Sequence, residues 1–418
     1  MRQTAAALII LLAAVSGASA ANTSSLVEKQ KQEDKARIEA FKSRIKQMQK
    51  EILAKNKSYM VGITAVTQSE IRKITGARVP VAIKSEARSQ NKSSRSMFAE
   101  YLKRLDKRHR RYFEMFMEEH EETSMDSEDS ADSEEPATDE KAVNPSPKDD
   151  SEERARQAKE AELARQAQEM EEKRKAAEAE AKKKEQEKKA MGLPDPSAAH
   201  FTWLDMKKLT PVKFQGECGS CWTFTSAAVM EGSAKMIYSS ELDIAEQSIL
   251  DCSRGKSGRK AGSCSGGWYG DVFDYYSANN PVPEKNAPYA TRDGVCMKRG
   301  TVPYRIAAWG YVRADGGIPS VSAMKAALCK YGPIAATVKV TDHFQSYTGG
   351  IFDEFAKTSG ETDVNHAITI VGWDDEKKAY LIKNSWSTDW GENGYMWIRY
   401  GCNNIGYGAA WVVMEQRN

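Results

Sequence analysis

The stretch Gln215-Gly216-Glu217-Cys218-Gly219-Ser220-Cys221-Trp222 is followed by an apolar run that continues to Met230. The run predicts a helix that begins at Cys221, where the positive end of the helix dipole lowers the pKa of a thiol. Gln215 precedes this cysteine, and its side-chain N–H could join the backbone N–H of Cys221 in stabilising an oxyanion. The stretch therefore predicts a nucleophilic cysteine with an oxyanion hole beside it.

A thiol nucleophile needs a base, and the chain has five histidines. Only His343 and His366 lie in the C-terminal part that also contains the cysteines. His366 precedes the apolar run from Ala367 to Trp373, which predicts a strand that holds the imidazole rigidly with one edge accessible. His343 lies in a polar segment typical of a loop. We therefore predict that His366 is the base and keep His343 as the alternative.

The imidazole must be held in one tautomer by a third group. Asn384 follows the next predicted strand, so its amide oxygen could accept the ring N–H, and Trp386 could shield that bond from water. An ordinary turn at the end of a strand would also account for Asn384 alone. With His366 and Trp386 beside it, we expect Asn384 to orient the imidazole.

These motifs resemble those of the papain/cathepsin family of cysteine peptidases, over about residues 200–418. The resemblance includes Asn365-His366-Ala367 and the run from Asn384-Ser385-Trp386 to Tyr395. It implies a nucleophile at Cys221, a base and acid at His366, an orienting Asn384 and an oxyanion-hole Gln215.

In this C-terminal part of the chain, helical patterns come first and strand patterns follow, which predicts an α+β domain. The resemblance implies a papain-like fold with two lobes, a helical left lobe and a β-barrel-like right lobe, with the substrate cleft between them. It also implies an endopeptidase for peptide and protein substrates. That enzyme would use a thiolate–imidazolium pair and a thioester acyl-enzyme.

Two other functions are compatible with the same residues. A transpeptidase or other acyl transferase would form the same thioester and pass the acyl group to an amine. A catalytically silent envelope or surface scaffold would use the fold without the chemistry. The presence of the complete catalytic set argues against the silent scaffold.

The same resemblance indicates the substrate-binding residues. Gly266 and Gly267 would allow a peptide backbone to approach and pair as a strand, although a glycine turn that closes a disulfide loop is the alternative. Ala367 would line the pocket for the second residue before the scissile bond, with Gly408 at its base and Trp386 also bordering the cleft. We expect an apolar, fairly open pocket that prefers Leu, Val, Phe or Tyr.

The chain has seven cysteines, so one is left over if the others pair. The resemblance implies the disulfides Cys218–Cys264 and Cys252–Cys296. Cys329 and Cys402 then remain and would pair by exclusion; the alternative is a buried thiol at Cys329 and an unpaired Cys402. No clustered histidines accompany the cysteines, so we expect neither a metal site nor a cofactor.

The first residues have the pattern of a signal peptide over residues 1–20. Arg2 is the positive residue, the apolar run from Ala5 to Val15 is too short to span a bilayer, and Ala18-Ser19-Ala20 is a cleavage site. A short buried helix is the alternative. The pattern predicts export to a periplasm, the medium, or a secretory or lysosomal lumen. We expect no transmembrane segment later in the chain.

A charged extension separates the N-terminus from the predicted peptidase domain, although the whole chain carries a net charge of only +2. Residues 21–117 are predicted to be helical, with an apolar stripe at positions 38, 41, 45, 48 and 52. Glu33, Arg37 and Phe41 match the first three spacings of an inhibitory propeptide of the resembling family, whereas the other three positions of that pattern depart from it at Arg44, Met48 and Ile52. We therefore consider this region either propeptide-like or a tether that binds a partner.

The rest of the extension has two parts. Residues 118–150 form an acidic segment that we expect to be a disordered linker. Residues 151–191 are rich in Glu, Lys and Ala, which predicts a lone charged helix whose partner is unknown. A linker over 192–200 leads to the peptidase domain at 201–418. The basic run from Lys103 to Arg111 indicates a solvated helix face rather than a nucleic-acid or lipid site.

Overall fold

The computed structural model describes residues 20–116, 150–190 and 192–417. The predicted signal peptide (1–20) and acidic linker (118–150) lie almost entirely outside these residues. Within the described ranges, no helix is both long enough and apolar enough to cross a membrane.

The described residues form α-helices, β-strands and two short 3-10 helices, which lie at Glu284–Asn286 and Cys402–Asn404. The helices are α1 (Ala20–Ala54), α2 (Ile71–Ile74), α3 (Ile83–Arg104), α4 (Lys107–Glu114), α5 (Asp150–Ala190), α6 (Cys221–Tyr238), α7 (Glu246–Cys252), α8 (Tyr269–Ala278), α9 (Val321–Tyr331) and α10 (Asp342–Gln345). The strands are β1 (Tyr59–Val61), β2 (His200–Thr202), β3 (Gly262–Ser263), β4 (Gly266–Gly267), β5 (Tyr304–Tyr311), β6 (Ile334–Val338), β7 (Tyr347–Phe352), β8 (His366–Asp374), β9 (Ala379–Lys383), β10 (Tyr395–Arg399) and β11 (Tyr407–Gln416).

The chain divides into two compact units. One combines the described residues up to Arg104 with those from Pro196 onwards, and the other is Leu105–Asp195. The predicted N-terminal region 21–117 is therefore divided at Leu105. Its larger part belongs to the same unit as the predicted peptidase domain, which the separation of the two in the sequence did not indicate.

A mixed sheet in the order β1-β7-β10-β9-β8-β6-β11-β5 forms one half of the larger unit, and β2 pairs with β8. Strand β8 is buried along its whole length, as expected for the continuous apolar run from Ala367 to Trp373. It pairs with β6 through Val338↔His366 and with β9 through Thr369↔Lys383. This register places the start of β8 and the end of β9 at the same edge of the sheet.

Helix α6 forms the centre of the other half. Its small residues allow close packing: a Cβ added at Gly232 would lie only 2.7 Å from the side chain of Pro333. Helices α7 and α8 and the β3–β4 hairpin surround it, and Trp222, Val229 and Phe273 are fully buried. The helical half followed by the strand-rich half confirms the α+β prediction.

The N-terminal elements pack on this same unit. Ile45, Met48 and Ile52 of α1 are buried, as the predicted apolar stripe requires. Strand β1 extends the sheet by pairing with β7, through Tyr59↔Gly350. Helix α3 packs on β5, where the Asn91 side chain donates to the Tyr311 carbonyl oxygen and accepts from its N–H (3.1 and 2.8 Å).

The second unit consists of α4 and α5. Asp106 caps α4 by accepting hydrogen bonds from the backbone N–H groups of Arg108 and His109. Arg111 of α4 forms an ion pair with Glu187 of α5, and the Lys188 ammonium lies over the Phe116 ring. Leu163 and Met170 of α5 are exposed. The described side chains of α5 near these two residues therefore form no buried apolar face, consistent with the charged composition of the helix.

Two disulfides stabilise the helical half, Cys218–Cys264 and Cys252–Cys296. The third expected disulfide, Cys329–Cys402, is wrong, since both residues are buried thiols. Cys329 lies on α9, whereas the Cys402 sulfur accepts a hydrogen bond from the Phe355 N–H (3.3 Å). The exclusion argument failed because a buried cysteine packs well as a small apolar side chain without pairing.

Candidate active site

Cys221 is the first residue of α6 and lies against the start of β8. The Ala367 N–H donates a hydrogen bond to its sulfur at 3.4 Å. Ala367 follows His366 directly, so the helix start and the strand start bring the predicted nucleophile and base together. The thiol is completely buried.

The His366 ring is held by its neighbours on β9 and the loop that follows. Its Nε2 lies 2.8 Å from the Asn384 amide oxygen, which can only accept, so Nε2 carries the proton. The other nitrogen, Nδ1, has no hydrogen-bond partner among the described residues. The Trp386 ring covers the imidazole at 4.6 Å between centroids. This arrangement leaves Nδ1 with a free lone pair, as a general base requires.

His343, the alternative base, lies in a different environment. Its Nδ1 is 2.9 Å from the Tyr59 hydroxyl, and its Nε2 is 3.6 Å from a Glu51 carboxylate oxygen. Both partners belong to the N-terminal elements, and His343 is on α10 rather than at the start of β8. The geometry therefore favours His366 as the base.

Gln215 is fixed by hydrogen bonds at both ends of its amide. Its oxygen accepts from the Ser385 hydroxyl at 2.7 Å, and its NH2 donates to the Cys218 carbonyl oxygen at 2.8 Å. The same NH2 group donates to the carbonyl oxygen of Ile74 at 3.1 Å, as does Trp386 Nε1. A carbonyl oxygen from the N-terminal region thus already occupies the donor that was predicted to serve the oxyanion.

Residues 74–78 cross the cleft over the catalytic residues. The N–H groups of Gly76 and Ala77 donate to the Asn365 carbonyl oxygen (2.9 and 3.0 Å). Gly267 then donates its N–H to the Gly76 carbonyl oxygen at 2.9 Å and accepts from the Arg78 N–H at 3.0 Å. A Cβ on Gly76 would lie 1.9 Å from the Gly219 carbonyl oxygen, so only glycine allows this approach.

The crossing segment runs in a defined direction. Ala77 and Gly267 form a parallel bridge, and the N–H of the preceding residue, Gly76, acts on the Cys221 thiol by lowering its pKa. The residue that pairs with Gly267 therefore follows the residue at the thiol. The crossing segment therefore runs parallel to β4.

Burial controls the ionisation of the two reactive groups in this covered state. Removal from water raises the pKa of the Cys221 thiol to about 12, although the N–H groups of Ala367 and Gly76 oppose the shift. Burial likewise lowers the pKa of His366 to about 4, opposed by the hydrogen bond to Asn384. The thiol and the imidazole are consequently both neutral here. In this covered state, burial outweighs the effect of the helix start on the thiol pKa.

The predicted substrate-binding residues surround the same cleft. Gly266 and Gly267 form β4, and Gly267 pairs with the crossing segment, which favours peptide binding over a simple turn. Ala367 is buried beside the thiol. Gly408 has a left-handed backbone (φ +67°), and its carbonyl oxygen accepts a hydrogen bond from the Tyr269 hydroxyl at 2.6 Å.

A buried ionic cluster supports the base of the site. The Lys213 ammonium lies 2.9 Å from Glu246 and 3.7 Å from Glu231, and Lys383, next to Asn384, donates to the Thr210 carbonyl oxygen at 2.7 Å. Burial raises the pKa of Glu246 and lowers that of Lys383, each to about 8. No group of His, Cys, Asp and Glu side chains within the described part of the chain could hold a metal ion.

Sequence reasoning missed two features of this site. The crossing segment lies in a weakly polar stretch with no periodicity, and its only signal is the small pair Gly76-Ala77. Tyr269 was also missed, although it follows the glycine motif directly after Trp268. A motif identifies only the residues that a family shares. The crossing segment and Tyr269 reach the site through the tertiary packing of the chain, which a motif does not describe.

Comparisons with known proteins agree with this geometry. Residues 197–413 match the sequence model described as papain family cysteine protease. Digestive cysteine proteinase 2 of Homarus americanus is 35% identical over 215 residues, which are 50% of this chain and 64% of that protein. Cathepsin K of Mus musculus is 34% identical over 200 residues, 47% of this chain and 58% of that protein.

The comparison with solved structures also gave a match. The digestive procathepsin L 3 of Tenebrio molitor larval midgut has 29% sequence identity and a TM-score of 0.45, and the match covers 52% of this chain and 71% of that one. The matched part spans 64% and 58% of the lobster and mouse relatives. Because the family model covers more than half of the sequence, the chain belongs to the papain family of cysteine proteases.

Proposed function

We propose that this protein is an exported cysteine endopeptidase that is made as a latent precursor. The observation that carries the proposal is the convergence of Cys221, His366, Asn384 and Gln215 in one cleft. Asn384 orients His366 at 2.8 Å, and the N–H that follows His366 contacts the thiol. The nucleophile, the base and the oxyanion donor of an acyl transfer thus lie in one site.

The reaction follows from these positions once the cleft is free. His366 Nδ1 takes the proton of the Cys221 thiol, and the thiolate attacks the scissile carbonyl carbon. The Gln215 amide and the Cys221 backbone N–H stabilise the oxyanion. As the oxyanion collapses, the C–N bond breaks and the imidazolium gives its proton to the leaving amine. Water, deprotonated by His366, then attacks the thioester, and the thiolate leaves.

Latency is supported by the occupied cleft. The Ile74 carbonyl oxygen accepts from Gln215, and the Gly76 carbonyl oxygen accepts from the Gly267 N–H. Because the segment occupies these donors, a substrate cannot reach them while the segment is in place. The neutral thiol and imidazole are also less reactive than a thiolate–imidazolium pair. We infer that residues 20–104 act as an inhibitory pro-segment.

Two further observations support an endopeptidase outside the cytosol. An extended segment enters the cleft near Ile74 and leaves it beyond Arg78, so the cleft accommodates a chain that continues at both ends. The disulfides Cys218–Cys264 and Cys252–Cys296 persist in oxidising compartments.

Product analysis tests this proposal against an acyl transferase. The full chain is activated at acid pH and incubated with a denatured protein in water enriched in ¹⁸O, with and without an added amine. We expect internal cleavage with ¹⁸O in the new carboxyl groups, and no cleavage by Cys221→Ala. Products that carry the amine in place of ¹⁸O would indicate transfer. Absence of any product from wild type would favour a silent scaffold.

A further inference from the structure

The base of the predicted specificity pocket is closed by a side chain from the helical half. Tyr269 is the first residue of α8 and is fully buried. Its hydroxyl donates a hydrogen bond to the Gly408 carbonyl oxygen at 2.6 Å. Gly408 is the residue expected at the base of the pocket, so this bond spans the floor from one half of the domain to the other.

Neighbouring side chains hold the phenol ring in this position. Trp268 stacks on it with 4.3 Å between ring centroids and an interplanar angle of 26°. Trp268 is in turn fixed by the hydrogen bond from its Nε1 to the Tyr311 hydroxyl at 3.0 Å. The Phe273 ring also lies 5.8 Å from the phenol ring, with an interplanar angle of 37°. A fully buried, stacked ring cannot move aside at low cost when a larger side chain enters.

The floor has no spare volume. A Cβ added at Gly408 would lie 2.7 Å from the Tyr269 oxygen and 2.7 Å from the Trp268 ring. Such distances are shorter than van der Waals contact. Tyr269 and Trp268 therefore fill the space next to the Gly408 Cα.

The segment that crosses the cleft presents small side chains here. Ala77 is the residue that bridges Gly267. Ala77 and Val79 both pack against the core cluster that contains Tyr269 and Ala367. The residue of the crossing segment that bridges Gly267 is thus an alanine, packed against the cluster that contains Tyr269.

We propose that Tyr269 is a specificity-determining residue, which limits the pocket for the second residue before the scissile bond to small side chains such as Ala and Val. This inference rests on the proposed peptidase function. It replaces the open pocket for Leu, Val, Phe or Tyr that the sequence suggested from Ala367 and Gly408 alone. A misfit of one or two methylene groups changes kcat/KM by roughly 10- to 200-fold, so we expect discrimination of at least ~10-fold against Leu and Phe.

The test measures kcat/KM for the processed wild-type enzyme on peptides that differ only at this position, with Ala, Val, Leu or Phe. Tyr269→Leu removes the ring, and Tyr269→Phe keeps the ring and removes only the hydroxyl. We expect wild type and Tyr269→Phe to prefer Ala and Val. We expect Tyr269→Leu to gain activity towards Leu and Phe peptides relative to Ala by ~10-fold or more.

The preference of the wild-type enzyme among the four peptides tests the inference even if a variant fails to fold. Fastest cleavage of the Leu or Phe peptide by wild type would overturn the role of Tyr269 and leave the peptidase function intact. An unchanged profile in a folded Tyr269→Leu variant would overturn it as well. If processed wild type cleaved neither these peptides nor a denatured protein, the proposed function itself would fail.

Discussion

At the residue scale, latency depends on how closely one backbone position approaches the nucleophile. The Gly76 carbonyl oxygen accepts from the Gly267 N–H, and the Gly76 N–H donates to the Asn365 carbonyl oxygen, next to His366. Because no Cβ fits at this position, the sequence requirement is for glycine itself. A single methyl group should therefore distinguish a covered site from an open one.

We predict that Gly76→Ala makes the unprocessed chain active. The added Cβ would overlap the Gly219 carbonyl oxygen at 1.9 Å, so the segment must leave the thiol. Hydrolysis by the uncut protein should rise by at least ~10-fold over uncut wild type, which corresponds to about 1.4 kcal/mol of lost segment binding. Val81→Ala, at an exposed position shortly after the crossing segment, is the control and should remain latent. A Gly76→Ala precursor as silent as wild type would contradict the role of this contact.

The covered site should also open on acidification. Burial lowers the pKa of His366 from 6.5 to about 4, so an uncovered imidazole takes up a proton in this interval while the covered one does not. Stability of the covered state is therefore fully present above pH 6.5 and is lost as the pH falls towards 4. Alkaline pH should also destabilise the covered state. Burial raises the pKa of the Cys221 thiol, so an uncovered thiol ionises at a lower pH than the covered one.

Labelling of Cys221 in the full chain with a thiol reagent, quantified by peptide mass spectrometry, measures this opening. We expect the rate to increase as the pH falls from 6.5 to 4.5, although ordinary thiols react more slowly in acid. Cys402, a buried thiol away from the cleft, reports global unfolding and should remain unlabelled. A Cys221 rate that decreases steadily with falling pH would argue against an acid-opened site.

At the element scale, α3 anchors the pro-segment outside the cleft. Asn91 pairs with both backbone groups of Tyr311, as a neighbouring strand would, and Gln90 donates to the Trp309 carbonyl oxygen at 2.9 Å. Phe98 packs edge-on against Tyr331 and Trp411. The edge of β5 is thus covered by the same polypeptide that fills the cleft.

Asn91→Ala should weaken this anchor by roughly 1–3 kcal/mol, the cost of leaving partly buried backbone groups without partners. We expect a lower melting temperature for the full-length Cys221→Ser chain that carries the substitution, and higher hydrolysis by the uncut chain when Cys221 is retained. Lys92→Ala, exposed on the same helix, serves as the control. Equal melting temperatures and equal latency for the two variants would show that α3 contributes nothing to inhibition.

Some elements could be predicted from the sequence and others could not. Helix α6 and strand β8 carry strong local patterns, and their motifs identify Cys221 and His366 without a structure. The packing of α3 on β5 joins residues more than two hundred positions apart and leaves no periodic signal. The Cys329–Cys402 pairing failed for a related reason, because counting cysteines carries no information on distance.

At the scale of the whole molecule, the pro-segment and the peptidase domain form one compact unit although Leu105–Asp195 separates them in the sequence. The charged helix α5 belongs to the other unit, so the inhibitory contacts do not depend on an intact connection. Cutting the connection and releasing the inhibitor are therefore separate events. The Cys221 thiol should therefore remain unreactive after the connection is cut, until the pro-segment is released.

We predict that a cut between residues 117 and 149 leaves the enzyme latent at neutral pH. A recognition site for a specific protease, introduced there, would allow this cut without acid. The two pieces should elute together in size-exclusion chromatography, and hydrolysis should stay at the uncut level until the pH is lowered. Separation of the pieces on cutting, with immediate activity, would show that the covalent connection maintains inhibition.

The most direct test of the central claim is the rate of peptide hydrolysis by the full chain before and after residues 20–104 are removed from it. A mixture of fluorogenic peptides with Ala, Val, Leu and Phe before the last residue avoids assumptions about specificity, and Cys221→Ala gives the background. We predict background rates for the intact chain and Cys221-dependent hydrolysis after removal. Equal rates for the intact and processed forms would contradict the account of a peptidase inhibited by its own segment in the cleft.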